Sequence, residues 1–103
     1  MDRISKLKEF LSVNPRDSFL QHALALEYVK AGDDENAKKE FEALLVREPG
    51  YVGSYYHLGK LLERLGEKDR AIKIYEQGME EAKRADDNKN YGELRGVYEE
   101  LTM

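Results

Sequence analysis

The chain has no cysteine, no tryptophan and only two prolines in 103 residues. Without cysteine, neither disulfide staples nor thiolate metal sites are possible, which suits a reducing compartment and makes the cytoplasm the expected location. Long apolar runs are also missing. The opening segment MDRISKLKEFLSVNP carries a charge every few residues, so it reads as neither a signal peptide nor a membrane span. Charge of one sign does not dominate: 17 basic residues stand against 21 acidic ones, for a formal net charge of −4. The signs are interspersed and no basic stripe collects phosphates, so nucleic acid is not an expected partner. Catalytic signatures are absent as well. There is no glycine-rich phosphate loop and no G-x-S-x-G, and Ser5, Ser12, Ser18 and Ser54, placed at helix surfaces or starts, belong to no motif that links them to a histidine. No catalytic residue and no cofactor are expected.

What is present is enough to fold. Hydrophobic residues make up 41% of the chain and ten side chains are aromatic, more than a disordered chain carries. The length fits one domain, 1–103, burying about two thirds of its unfolded surface.

A repeat of 34 residues runs through it. That offset relates Pro15 to Pro49, Gly32 to Gly66, Leu24 to Leu58, Ala37 to Ala71, Lys39 to Lys73 and Glu42 to Glu76. Similar pairs fill the gaps: Ala25 with Gly59, Tyr28 with Leu62, Phe41 with Tyr75, Leu45 with Met79. Inside each period the apolar spacing is helical. Leu20, Leu24, Tyr28 and Ala31 make one stripe, which Gly32 ends by taking the left-handed conformation. Asp33 and Asp34 can then cap a second helix carrying Ala37, Phe41, Leu44 and Leu45, which stops before Pro49. In the second period Tyr51, Tyr55, Leu58, Leu62 and Leu65 lead to Gly66. Ala71, Ile74, Tyr75, Gly78, Met79 and Ala82 follow. Upstream, Ile4, Leu7, Phe10 and Leu11 form a further stripe in phase with the second helix of a repeat. Downstream, Asp86-Asp87-Asn88 is turn and cap chemistry before Tyr91, Leu94, Tyr98 and Leu101. That last stripe is about two residues out of phase and reads as a capping helix, as the open end of a helical array requires. The segments are 1–14, 16–49, 50–85 and 88–102.

These residues resemble the tetratricopeptide repeat (TPR) family, with its 34-residue period. The resemblance rests on a small residue midway along the first helix (Ala25, Gly59), a turn glycine (Gly32, Gly66), and an alanine and aromatic in the second helix (Ala37 with Phe41, Ala71 with Tyr75). Pro49 closes the first repeat. The family's early tryptophan is replaced by Gln21 and Tyr55, Lys83 stands where a second closing proline would, and Gly78 replaces an alanine. Gly78 is expected to weaken its helix by about 1 kcal/mol unless close packing compensates. The implied fold is all-α, a right-handed superhelix of antiparallel helix pairs with about five helices.

The implied function is protein recognition without catalysis, a partner's peptide or helix lying in a concave groove lined by first helices. Carried onto this chain, the groove residues are Phe19, His22, Ala23, Leu26 and Lys30, then Tyr56, His57, Lys60 and Arg64. Such a groove is apolar at one end and basic at the other, complementary to a partner with an apolar anchor and acidic groups. Where a subfamily that grips terminal carboxylates has its first lysine and asparagine, this chain has His22 and Leu26, so that clamp is not expected. A structural alternative is homodimerisation through Phe19, Leu26 and Val29 or the end helices, or a place as part of a larger scaffold; a small hydrolase or transferase is a third reading that no motif supports. His22 and His57 lack a third ligand at helical spacing, so no metal is expected there. Asp33-Asp34-Glu35 and Asp86-Asp87 lack the ligand spacing of a calcium loop and read as helix caps. Glu80-Glu81 and Glu99-Glu100 read as hydrated helix faces. Tyr28, Tyr55, Tyr75, Tyr91 and Tyr98 fall on or beside core stripes; Tyr56, rotated about 100° from its neighbour, is the aromatic with Phe19 that points to a partner.

Overall fold

Aspartates begin four of the helices, because each carboxylate accepts a backbone N–H that the first turn leaves unpaired. In a computed structural model describing residues 2–103, Asp2 accepts from the Ser5 N–H at 2.8 Å and opens α1 (Arg3–Val13). Asp17 accepts from Leu20 at 3.0 Å and opens α2 (Ser18–Lys30). Asp33 opens α3 (Asp34–Arg47), bound by the backbone and side-chain nitrogens of Asn36. Asp87 makes the same pair of bonds to Asn90 and opens α6 (Asn88–Thr102). These bonds hold the Asp33 and Asp87 carboxyls below the ordinary aspartate value, the Asn side chain being the larger cause in each. Two helices lack a side-chain cap, α4 (Gly53–Arg64) and α5 (Lys68–Arg84).

The stops obey one rule. Gly32, Gly66 and Asp86 have φ of 77°, 78° and 57°. At each, the following residue's N–H reaches back five positions: Asp33 to the Tyr28 carbonyl, Glu67 to Leu62, Asp87 to Ala82. This is the left-handed closure that glycine adopts without strain and Asp86 adopts against a steric cost. The turn after α5 therefore copies the two glycine turns with an aspartate in the glycine's place.

Six helices and no strand are thus present among the described residues, against an expected count of about five: two in each repeat and one in each flanking segment. None is long and apolar enough to cross a membrane. The helices fall into two compact units that part between Glu48 and Pro49. In the first, α2 and α3 form a hairpin and α1 packs on α2. Its core is Leu7, Leu24, Ala25, Tyr28, Ala37, Phe41, Leu44 and Leu45. Ala31 proves to be an exposed C-cap and Phe10 is 54% exposed, so neither joins the core as their stripes had suggested.

In the second unit α4 and α5 form the hairpin, and α6 packs on α5 and touches α4. Tyr51 lies before the start of α4, outside the helical stripe assigned to it. Two glycines set the helix spacing. A methyl group on Gly59 would fall 2.0 Å from Tyr75 Cε1, and one on Gly78 would fall 2.6 Å from Tyr55 Cβ and 3.0 Å from Leu94 Cδ1. Each helix of the hairpin thus offers a glycine to the other's tyrosine. Close packing at Gly78 is the compensation that its low helix propensity requires.

Both end helices break the small-residue rule of the interior. In the 34-residue register Arg3 stands where Ala37 and Ala71 stand, and, allowing the two-residue shift of α6, Arg95 stands where Ala25 and Gly59 stand. Arg3 pairs with Glu27 at 3.2 Å and Arg95 with Glu99 at 3.3 Å.

Candidate functional site: the first helices of the two repeats

On α2 the early residues present a large apolar group to water. Phe19 is 70% exposed, whereas Leu24 and Ala25 on the same helix are buried. His22 is half-buried, its ring edge-on to the Phe41 ring at 5.8 Å between centroids. Ala23 and Leu26 are half-buried too, and Lys30 is exposed. The Lys30 ammonium lies 3.5 Å from Glu27, whose same oxygen takes Arg3.

On α4, Tyr56 and His57 are half-buried neighbours, their rings perpendicular with centroids 5.7 Å apart. Burial lowers the His57 pKa below the ordinary histidine value, because water is withdrawn from the charged ring. The Glu93 carboxylate on α6 opposes that shift. Lys60 is paired with Glu63 at 3.8 Å. Glu63 also accepts the hydroxyl of Tyr75, which reaches it from α5. Burial and this bond raise the Tyr75 pKa. Arg64 is exposed at the end of the helix.

The α4 face is less basic than its own sequence suggested. Glu63 sits within it and Glu93 is near enough to act on His57. The missed signal was the two-residue shift of α6: with it, Glu93 takes the register of His57, and Glu100 that of Arg64.

Behind α2 lies a polar cluster that the sequence did not announce. The Arg47 guanidinium donates to Gln21 Oε1 at 2.7 Å and to Ser18 Oγ at 2.8 Å. The Ser18 hydroxyl donates to Glu48 at 2.9 Å, and Gln21 Nε2 donates to Glu40 at 3.2 Å. Gln21, standing for the family's tryptophan, thereby trades ring packing for hydrogen bonds linking α2 to α3. Ser18 and Ser54, at the starts of α2 and α4, are buried. Tyr55, in the equivalent position of the second repeat, keeps a ring and donates to the Pro49 carbonyl at 2.6 Å. Its pKa is pushed up to about 12, by burial first and by Glu81 second.

Tyr28, Tyr55 and Tyr75 are buried, while Tyr91 and Tyr98 are half-buried. No group of three or more His, Asp or Glu side chains is gathered closely enough among the described residues to hold a metal ion.

Comparison with known proteins places these elements. The tetratricopeptide repeat profile matches residues 20–50 and 52–84. A tetratricopeptide repeat domain protein of Salinibacter ruber is 42% identical; its crystal structure covers 82% of this chain and 96% of its own, with a TM-score of 0.80. A protein of Bordetella parapertussis, 23% identical over 98% of this chain and 88% of its own, superposes with a TM-score of 0.83. The Sgt2 TPR domain of Aspergillus fumigatus, 21% identical over 94% of this chain and 66% of its own, gives 0.73. Those two show the shared fold. No curated protein matches at a significant level. With the profile covering both repeats and a 42% identical relative matching most of the length, the chain belongs to the tetratricopeptide repeat family.

Proposed function

We propose that this chain is a non-catalytic protein-interaction module in which the first helix of each repeat offers a contact face to a partner protein, in a cytoplasmic setting. Phe19 carries the reading. A phenylalanine that is 70% exposed, on the helix that also carries the half-buried Leu26, offers a partner an aromatic anchor of the kind enriched at interfaces. On α2 the contact residues are Phe19, His22, Leu26 and Lys30; on α4 they are Tyr56, His57, Lys60 and Arg64. The matching chemistry for the α2 face is an apolar anchor for Phe19 and Leu26. For the α4 face it is acidic groups for Lys60 and Arg64, although Glu63 and Glu93 make that acidic preference weaker than lysine and arginine alone would give.

Selection from a displayed peptide library tests this. Enriched sequences combine an aromatic or aliphatic anchor with acidic residues. Phe19→Ala and the double variant Tyr56→Ala, Lys60→Glu each lower affinity about tenfold or more, with the helical circular dichroism unchanged. Equal binding by wild type and both variants would show that these faces are not the site.

A second reading, self-association through Phe19, Leu26 and Val29, draws on the same exposure. Sedimentation equilibrium separates the two, since a dimer that Phe19→Ala dissociates would have no free α2 face to offer.

A further inference from the structure

The groove between α5 and α6 has a chemistry that the peptide-holding faces do not use. Glu76, Met79, Glu80 and Lys83 on α5 and Tyr91 and Tyr98 on α6 line an open cleft of about 480 Å³. The α5 residues follow the i, i+3, i+4, i+7 spacing of one helix face, and the two tyrosines sit two turns apart on α6. The Tyr98 hydroxyl donates to Glu76 at 3.1 Å. Glu80 is exposed and has no ion-pair partner among the described residues. A cation already occupies one wall: the Lys83 ammonium lies 5.5 Å from the centroid of the Tyr91 ring. A tyrosine face attracts positive charge through its quadrupole, and carboxylates beside it add to the pull. Arg95 lies between the two tyrosines in sequence but pairs with Glu99 and does not line the cleft.

We propose that the α5–α6 cleft is a second contact site, which receives an arginine side chain from a partner protein by displacing Lys83 from the Tyr91 ring. Arginine suits it better than lysine. Its planar guanidinium stacks flat on a phenol while its edge donates to a carboxylate, and here the rings and Glu76 with Glu80 stand on facing helices. Met79 adds a polarizable apolar surface for the methylene stem. Lys83 holds the site in the unbound state as a weaker internal ligand.

Titration of the isotope-labelled chain with the peptide acetyl-Gly-Arg-Gly-amide tests this by amide chemical shifts. The expected shifts saturate and cluster on residues 76–83 and 91–98, and the same peptide with neutral citrulline in place of arginine produces none. Glu80→Gln weakens binding about fivefold. Lys83→Gln strengthens it severalfold, although it removes only an exposed surface charge, while Lys73→Gln, the same charge change elsewhere on α5, leaves it unaltered. Shifts scattered over the acidic surface without saturation overturn the proposal. So does equal binding by Lys83→Gln and wild type, or an equal gain in Lys73→Gln. Because α2 and α4 contribute nothing to this cleft, Phe19→Ala leaves the titration unchanged, which separates this result from that of the peptide selection.

Discussion

At Gly59 the absence of one methyl group sets how closely α4 and α5 lie. The alanine that takes this register in the first repeat, Ala25, would here place its Cβ 2.0 Å from Tyr75 Cε1, well inside contact. Tyr75 is fully buried with its hydroxyl bound to Glu63, so it has nowhere to move. Gly59→Ala gains about 1 kcal/mol of helix propensity but loses about 1–3 kcal/mol to overpacking. The expected result of chemical denaturation is net destabilisation, where the same substitution at the exposed Gly92, which has open space for a methyl, stabilises. His57 makes a second prediction at this scale. Its folded pKa is lowered by burial from the ordinary value of 6.5, so the unfolded chain binds the proton more readily. Stability is then complete above about pH 6.5, falls as pH drops below it, and levels off beneath the lowered folded value. Nuclear magnetic resonance titration of the imidazole gives a midpoint below 6.5, and Glu93→Gln moves it lower still, because the carboxylate that supports the charged ring is gone.

The helices were legible in the sequence wherever apolar spacing and a terminator agreed. The segments ending at Gly32 and Gly66 are helices because the stripe and the left-handed residue point to the same stop, and Asp33 and Asp87 cap as their chemistry requires. The element boundary that failed was the start of α4. Tyr51 continued the apolar spacing, but periodicity does not register where backbone hydrogen bonding begins. The face residues of α2 and α4 were named from the family's geometry; of them Phe19, Lys30 and Arg64 are exposed and the rest half-buried. What periodicity could not show was how neighbours would modify them. Glu63 on its own helix and Glu93 from α6 temper the basic end, and the Ser18–Gln21–Arg47 cluster forms because residues 26 to 29 apart in sequence meet across a hairpin. The turn after α5 was equally opaque, since aspartate reads as a cap and Asp86 is used as a glycine. That use gives a prediction for the element. Asp86→Gly relieves a left-handed conformation at φ 57° that costs about 1–2 kcal/mol. Part of the gain returns as unfolded-chain entropy. The net outcome is a rise in melting temperature of a few degrees, and Asp86→Ala gives none.

For the molecule as a whole, stability is not evenly spread. Within each unit the contacts run between helices close in the chain, so each element is held by its neighbours there. The first helix is held least: α1 packs on α2, and Leu7 is its one buried side chain. By contrast α4 buries Tyr55, Leu58, Gly59, Leu61 and Leu62. Hydrogen exchange followed amide by amide therefore shows α1 opening with the lowest free energy of the six helices, and the α4–α5 hairpin with the highest. Uniform protection from Arg3 to Thr102 would mean that the helices unfold as one block instead.

The two arginines at Arg3 and Arg95 bear on how copies of this protein behave in crowded solution. A further helix could settle onto either terminal face in the register used inside the repeats only by stripping water from a guanidinium at the point where alanine or glycine would let backbones meet. Desolvating that charge carries a cost, which acts as a brake on end-on association in that register. Releasing it would take two changes of side chain, with no alteration of the backbone.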